Sequence, residues 1–396
     1  MSIDSNSMLS LLVTTGLNES LRAAGTRRGL FVGSQFKGDV ISSDKTYRSV
    51  HTEQFALSTV GNACKWPATE KTRGVLSLET CSDAFAYARG AKQAFRGHNL
   101  CWGNDNPAWL ETLASTANAS ELSSVLQTHI KGVMQGIKAA AGGVSPLAWD
   151  VVNEATNSTA WFKPNTWFPA LEDYVDVAFR AARKADPSSL LFYNDFGVAQ
   201  MGGDKAEQMY GMVASMVQRG VPIDGVGLQA HVTLGFAEED GLSYSDDVKG
   251  RSRAPETAAD AQSVTANIAR YGKLGLQVHI TELDVKCPSP CNASMLAKQA
   301  DVYGLMLRAC LDNPGVCTSF ETWGFTDKYT WLTGKRCPAA ACHPLPFDET
   351  YTPKPAAERM LWLLHNHAGG RRAPPQLPSV VESRSWATVA KLSRHS

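Results

Sequence analysis

Nowhere in this chain do about 18 apolar residues run together, the length that a membrane-spanning helix needs, so no membrane partner is expected. Charge of one sign is not in excess either. Lys plus Arg and Asp plus Glu both number 38, which argues against nucleic acid or an anionic bilayer as the main partner. No Gly-x-Gly-x-x-Gly follows the first apolar run, so a dinucleotide-binding open sheet is disfavoured. No Cys-x-x-Cys occurs, and no His-x-His stands at an early strand end, as a metal-dependent barrel hydrolase would want. Residues 8–17 are mildly apolar but follow Asp4 and have no basic leader, so they are not read as a signal peptide.

What is present is ample apolar matter, 43% of 396 residues, enough for one large barrel or two ordinary domains. Apolar, β-rich runs recur at 30–36, 55–60, 95–102, 147–154, 190–196, 225–232, 276–285 and 319–325. Helical stripes lie between them. Leu122, Val125, Leu126, Ile130, Val133 and Ile137 recur at three and four until Gly142-Gly143. Ala84, Ala88, Ala91 and Phe95 form a weaker stripe. Others run through Tyr174–Ala182, Met209–Val217 and Ala300–Leu311, the methionines of the second being read as core. Strands alternating with helices predict a parallel sheet closed into a (β/α)8 TIM barrel. The expected division is a lead-in and first helix at 1–26, one barrel at 27–368 and an irregular tail at 369–396. Long connections are expected at 233–255 and 326–352, both on the face that would carry the site.

Nine cysteines include three close pairs, Cys287 with Cys291, Cys310 with Cys317 and Cys337 with Cys342. These read as disulfides. Cys64 with Cys81 is the further expected pair, leaving Cys101 free. Asn-x-Ser/Thr triplets at Asn18, Asn118, Asn157 and Asn292 agree with secretion. An extracellular location is therefore the expectation, against the missing leader.

In a barrel, chemistry sits at the C-terminal ends of strands. Asn62, His98, Asn153, Glu154, Asn194, Asp195, Gln229, His231, Glu282 and Asp284 all fall at or near such ends. Charge on buried strands is costly, so the clustering is meaningful. Glu154 closes the run Trp-Asp-Val-Val-Asn-Glu-Ala, and Glu282 lies in Ile-Thr-Glu-Leu-Asp-Val. Two carboxylates facing each other across a cleft are the equipment of glycosidic bond cleavage. The bland alternative for each is a carboxylate capping the next helix. Glu282 and Asp284 share parity and so a face of their strand, and the same parity is expected of Gln229 and His231 on one continuous strand beside it. A His beside a carboxylate fixes its orientation. His279, of opposite parity, reads as structural. The ten Trp offer flat faces that suit sugar rings, though core packing accounts for about half.

Several ordered motifs resemble glycoside hydrolase family 10, whose usual activity is endo-1,4-β-xylanase. They are Ser-Leu-Arg-Ala-Ala at 20–24, Arg-Gly-Leu-Phe-Val-Gly at 28–33, Lys65-Trp66, Arg-Gly-His-Asn-Leu-Cys-Trp at 96–102, the Glu154 run, Asn194-Asp195, Gly-Val-Gly-Leu-Gln-Ala-His at 225–231, the Glu282 run and Trp-Gly-Phe-Thr-Asp-Lys-Tyr-Thr-Trp at 323–331. The resemblance spans about Ser20 to Leu364. It implies Glu154 as acid/base and Glu282 as nucleophile of a retaining double displacement. His231 would bond Glu282, Asp284 would support it, and Asn153 would hold the sugar 2-hydroxyl. Asn62, Lys65, His98, Trp102 and Gln229 would line the sugar subsites, with Trp323 and Trp331 as platform and roof. Xylan or a xylo-oligosaccharide is the implied substrate, with no cofactor or metal, and a monomer is expected. A transglycosylase sharing the intermediate and a non-hydrolytic xylan-binding protein are the alternatives. The chain departs from the family at Gly61, Gly103 and Gly197, where Glu, His and Asn are usual. Gly103 is expected to leave a gap beside the sugar.

Overall fold

The computed structural model describes residues 19–235, 252–287, 291–333, 337 and 342–369. Residues 8–17, Asn18, most of the 233–255 connection and nearly all of the 369–396 tail lie outside that range.

Among the described residues ten strands form in chain order: β1 (Phe31–Phe36), β2 (Leu57–Val60), β3 (Ala94–Trp102), β4 (Ala148–Asn153), β5 (Leu190–Asp195), β6 (Gly225–Leu228), β7 (His231–Thr233), β8 (Ser252–Arg253), β9 (Gln277–Lys286) and β10 (Cys317–Thr322). Eight of them pair in parallel as β10-β1-β2-β3-β4-β5-β6-β9, and β9 pairs with β10 to close the ring. The fold is a (β/α)8 barrel. Its strands read as near-continuous apolar runs because both faces are covered, helices outside and side chains within. β1 and β4 are buried along their whole length.

The helices follow from equally local causes. The helix Ala119–Ala140 starts where the Asn118 side chain accepts from the N–H of Glu121. It buries Leu122, Leu126, Ile130, Val133 and Ile137, and stops at Gly142 and Gly143, whose φ of 67° and 89° suit glycine. The helix Glu79–Gly90 buries Ala84 and Ala88 but ends before Ala91, and Phe95 belongs to β3, so the last two members of the expected stripe lie outside the helix.

The run expected as one strand over 225–232 is broken. β6 ends at Leu228, Ala230 adopts a left-handed φ of 61°, and the chain resumes as β7. Pairing with β9 shifts accordingly, from Leu228 opposite Ile280 to His231 opposite Asp284. Gln229 and His231 therefore do not share a face by strand alternation; the kink aims each one separately.

Side chains face glycines on neighbouring strands, on the helix-covered outer face at Gly97 and inside the barrel at Gly227. A Cβ on Gly97 would lie 2.2 Å from the Trp149 ring, and one on Gly227 only 2.1 Å from Oδ1 of Asn194. Below the site, Arg96 is buried and pairs with Asp150 and with His279 Nδ1 at 2.8 Å, so its charge is matched. Glu321 accepts from the hydroxyls of Thr59 and Ser319 at 2.6 and 3.0 Å, and burial pushes its carboxyl up to about 7.

Disulfides join Cys64–Cys81, Cys287–Cys291, Cys310–Cys317 and Cys337–Cys342, and Cys101 is free and buried. No described helix is long and apolar enough to cross a membrane.

Candidate active site

Glu154 follows the last residue of β4, and Glu282 lies in the upper half of β9. Neither caps a helix. Their environments differ. Glu282 is buried, with Oε2 3.1 Å from His231 Nε2 and Oε1 accepting from the Asn194 amide at 2.7 Å. The other ring nitrogen of His231 lies 2.9 Å from Asp284. Burial disfavours a charged imidazole here, but the Asp284 and Glu282 carboxylates outweigh it and hold His231 up to about 9. It is an imidazolium at neutral pH, with both N–H groups committed. Trp331 completes the shell by donating its indole N–H to Asp284 at 2.6 Å.

Glu154 keeps partial access to solvent, yet protein surrounds it. Burial raises its proton affinity first. The Asp195 charge adds to that and Glu282 adds less, while the Gln229 hydrogen bond and the Lys205 charge oppose. Gln229 donates to Glu154 Oε1 at 3.0 Å and Trp102 donates its indole N–H to Oε2 at 3.0 Å. Gln229 and Asn194 also both donate to the Asn153 carbonyl oxygen, at 3.2 and 2.9 Å. A relay of three amides therefore links the two carboxylates. It commits the oxygen end of Asn153 and leaves its NH2 group as the end able to donate to a ligand.

The remaining expected residues surround this core. Lys65 Nζ lies 4.8 Å from the Trp102 ring centroid and 3.8 Å from Asp105. His98 is fixed by Asp150 at 2.9 Å, and its ring meets Trp323 edge-on at 5.1 Å. His231 lies 6.2 Å from Trp323 and 5.0 Å from Trp331, ring to ring. Asn62 is exposed at the end of β2 and joins the group through the Lys65 N–H, which donates to its carbonyl at 3.1 Å. His279 bonds Arg96 and Thr318 below the site, a structural position. Asn194 was legible as a strand-end polar residue, but its bond to Glu282 was not.

Two of the three glycine departures, Gly61 and Gly103, are filled positions, and the third, Gly197, is set by its backbone conformation. A Cβ on Gly61 would lie 2.5 Å from Gln35 Nε2, and one on Gly103 would lie 2.6 Å from the Asn165 Cβ. The expected gap beside Gly103 is therefore absent. Asn165 occupies it, held by N–H groups of Trp167 and Phe168 at 2.7 and 3.1 Å. Gly197 has a φ of 69°, a conformation that any side chain there would strain.

Glu154, just past the fourth barrel strand, and Glu282, in the upper half of the seventh, are thus joined by one amide relay, and the pattern of the family described as "Glycosyl hydrolase family 10" matches residues 20–362. The chain belongs to this family. This family 10 enzyme is 33% identical over 313 residues to Endo-1,4-beta-xylanase B of Thermotoga neapolitana, covering 78% of this chain and 80% of that one. It is 32% identical over 355 residues to Endo-1,4-beta-xylanase D of Talaromyces funiculosus, covering 89% and 78%. Among solved structures, xylanase 10B from Thermotoga maritima superposes with a TM-score of 0.75 at 30% identity, over 87% of this chain and 98% of that one. Xylanase 10B from Thermotoga petrophila, in complex with xylobiose, gives 0.76 at 30% identity over 88% and 98%.

Proposed function

We propose that this protein is a retaining endo-β-1,4-xylanase. The observation that carries the reading is the contrast between its two site carboxyls. Glu154 is biased toward its protonated form by burial and by the Asp195 charge, while Glu282 is gripped by an imidazolium and an amide. In the proposed reaction Glu282 attacks the anomeric carbon as Glu154 protonates the departing glycosidic oxygen. Water, deprotonated by Glu154, then releases the sugar from Glu282 with net retention. Asn153 meets the sugar 2-hydroxyl with its free NH2 group. Asn62, Lys65, His98, Trp102 and Gln229 line the non-reducing side of the cleft, with Trp323 beneath and Trp331 above. A relative solved with xylobiose supports a xylose chain as substrate.

The catalytic unit is taken as residues 27–368, acting as a monomer. Four disulfides, and sequons at the exposed Asn118 and Asn292, support an extracellular setting.

Proton NMR of xylohexaose digestion tests the reading. The β-anomer should appear first at the new reducing end and mutarotate later. Initial release of the α-anomer overturns retention, and no cleavage of any β-1,4-xylan overturns the activity.

A further inference from the structure

Glu154 has a φ of 58°, in the left-handed region where a long side chain is strained. Such a conformation persists only where the surroundings over-determine it. Here the grip is specific. The Glu154 N–H donates to the Asn194 carbonyl at 2.9 Å. The next two N–H groups, of Ala155 and Thr156, both donate to one atom, the phenolic oxygen of Tyr193, at 2.9 and 3.1 Å. Tyr193 in turn donates its own proton to Asp195 Oδ2 at 2.5 Å, and Thr156 adds its hydroxyl to the same oxygen at 2.7 Å. Asp195 Oδ1 takes the Phe196 N–H and the ammonium of Lys205, each at 2.9 Å. Asp195 is 0% exposed and Lys205 2%. The Lys205 ammonium also sits 3.1 Å from the centroid of the Phe196 ring. A charge pair this deep is costly to build and has no access to substrate. Its remaining connection is to the backbone just beyond Glu154.

We infer that Tyr193, Asp195 and Lys205 are positioning residues for the acid/base, a clamp that grips the two peptide N–H groups after Glu154 and so aims its carboxyl. The clamp rests on the reading of Glu154 as proton donor. It also sets the local field. Glu154 is faced by Asp195 of β5, Lys205 of the helix Asp204–Gln218, Glu282 of β9 and Lys65 of the loop after β2. Trp102 and Gln229 contribute neutral donors. Lys163 stands beyond Lys205. Asp195 makes the Glu154 proton harder to remove and Lys205 makes it easier, so their removal acts in opposite directions.

Tyr193→Phe deletes one oxygen and leaves the ring. A misaimed acid matters only where the leaving group needs a proton. The variant should lose roughly 10-fold or more of kcat on xylotetraose, part of the 10²–10⁴-fold that acid catalysis supplies. It should nearly retain the glycosylation rate on dinitrophenyl β-xylobioside, with KM changed by no more than about twofold. Equal losses on both substrates would mean a merely structural role and overturn the clamp. The charge arm needs no substrate. Carbon-13 NMR titration of the Glu154 carboxyl, assigned through Glu154→Gln, should give a lower midpoint in Asp195→Asn than in the wild type. It should give a higher one in Lys205→Met. A midpoint that does not fall in Asp195→Asn, a variant that keeps the shape of the side chain, overturns the inference even if Lys205→Met fails to fold. Wild-type protein inactive on both substrates would sink the proposed xylanase reading instead, and the NMR arm would still decide whether the clamp tunes Glu154.

Discussion

The indole N–H of Trp102 donates to a carboxylate oxygen of Glu154 at 3.0 Å. A tryptophan expected to line the sugar subsites is thus also a donor to the acid. Trp102→Phe keeps an aromatic surface and removes the donor. Losing a hydrogen bond to the carboxylate form raises the proton affinity of Glu154. The alkaline limb of the kcat/KM profile should move to higher pH, and kcat on xylan should fall about 2- to 12-fold, the worth of one hydrogen bond. A profile that moves to lower pH would show that the bond does not favour the carboxylate.

The two glutamates should fail differently. Glu282→Ala should abolish turnover of every substrate, since no covalent intermediate can form. Glu154→Ala should cut xylan hydrolysis by roughly 10²–10⁴-fold yet spare the first step on aryl xylosides whose leaving group needs no proton. Burst kinetics on dinitrophenyl xylobioside separate the two, and identical losses would remove the assigned roles.

Gly103→His should not improve the enzyme. The imidazole would begin where Asn165 already stands, and Asn165 organises the loop through Trp167 and Phe168. Overpacking of this kind typically costs about 1–3 kcal/mol. Thermal unfolding should show a lower Tm for Gly103→His, partly restored by adding Asn165→Gly. An unchanged Tm in the single variant would show that the loop yields freely.

Stability should carry the signature of His231. Its folded value of about 9 lies above the ordinary 6.5, so the stabilisation is fully present below about pH 6.5 and is lost as pH rises through about 9. The Tm of the wild type should therefore fall more steeply across that window than the Tm of His231→Gln. Parallel curves would mean that the imidazole is not charged in the folded protein.

Thiol counting under denaturing conditions should find one reactive cysteine, Cys101, which burial makes a poor thiolate, and none without denaturant. Peptide mapping should recover all four bridged pairs.

Much of this was legible in the sequence because a parallel barrel writes its strands as apolar runs and its chemistry at their ends. The runs around β4 and β9 placed both glutamates without any structure. What was illegible was long-range or backbone in origin. No local pattern says that Ala230 will take a positive φ, so the break between β6 and β7 was missed and with it the true reason Gln229 and His231 face the site. Nothing in the local sequence marks Lys205, in the first turn of the helix Asp204–Gln218, as buried. Its burial follows only from Asp195 lying opposite. The helix Ala258–Lys273 did leave a signal, since Thr257 and Asp260 form a capping box.

Asn194 reaches Glu282 because the neighbouring strand carries no side chain at Gly227, just as Trp149 fits because Gly97 carries none. Each pair behaves as one mutational unit. Descent through single substitutions would have to change the partner before or together with the glycine. Sequence libraries that vary 227 and 194 independently will consist mostly of inactive members, and the viable ones will be those in which bulk moves from one position to the other.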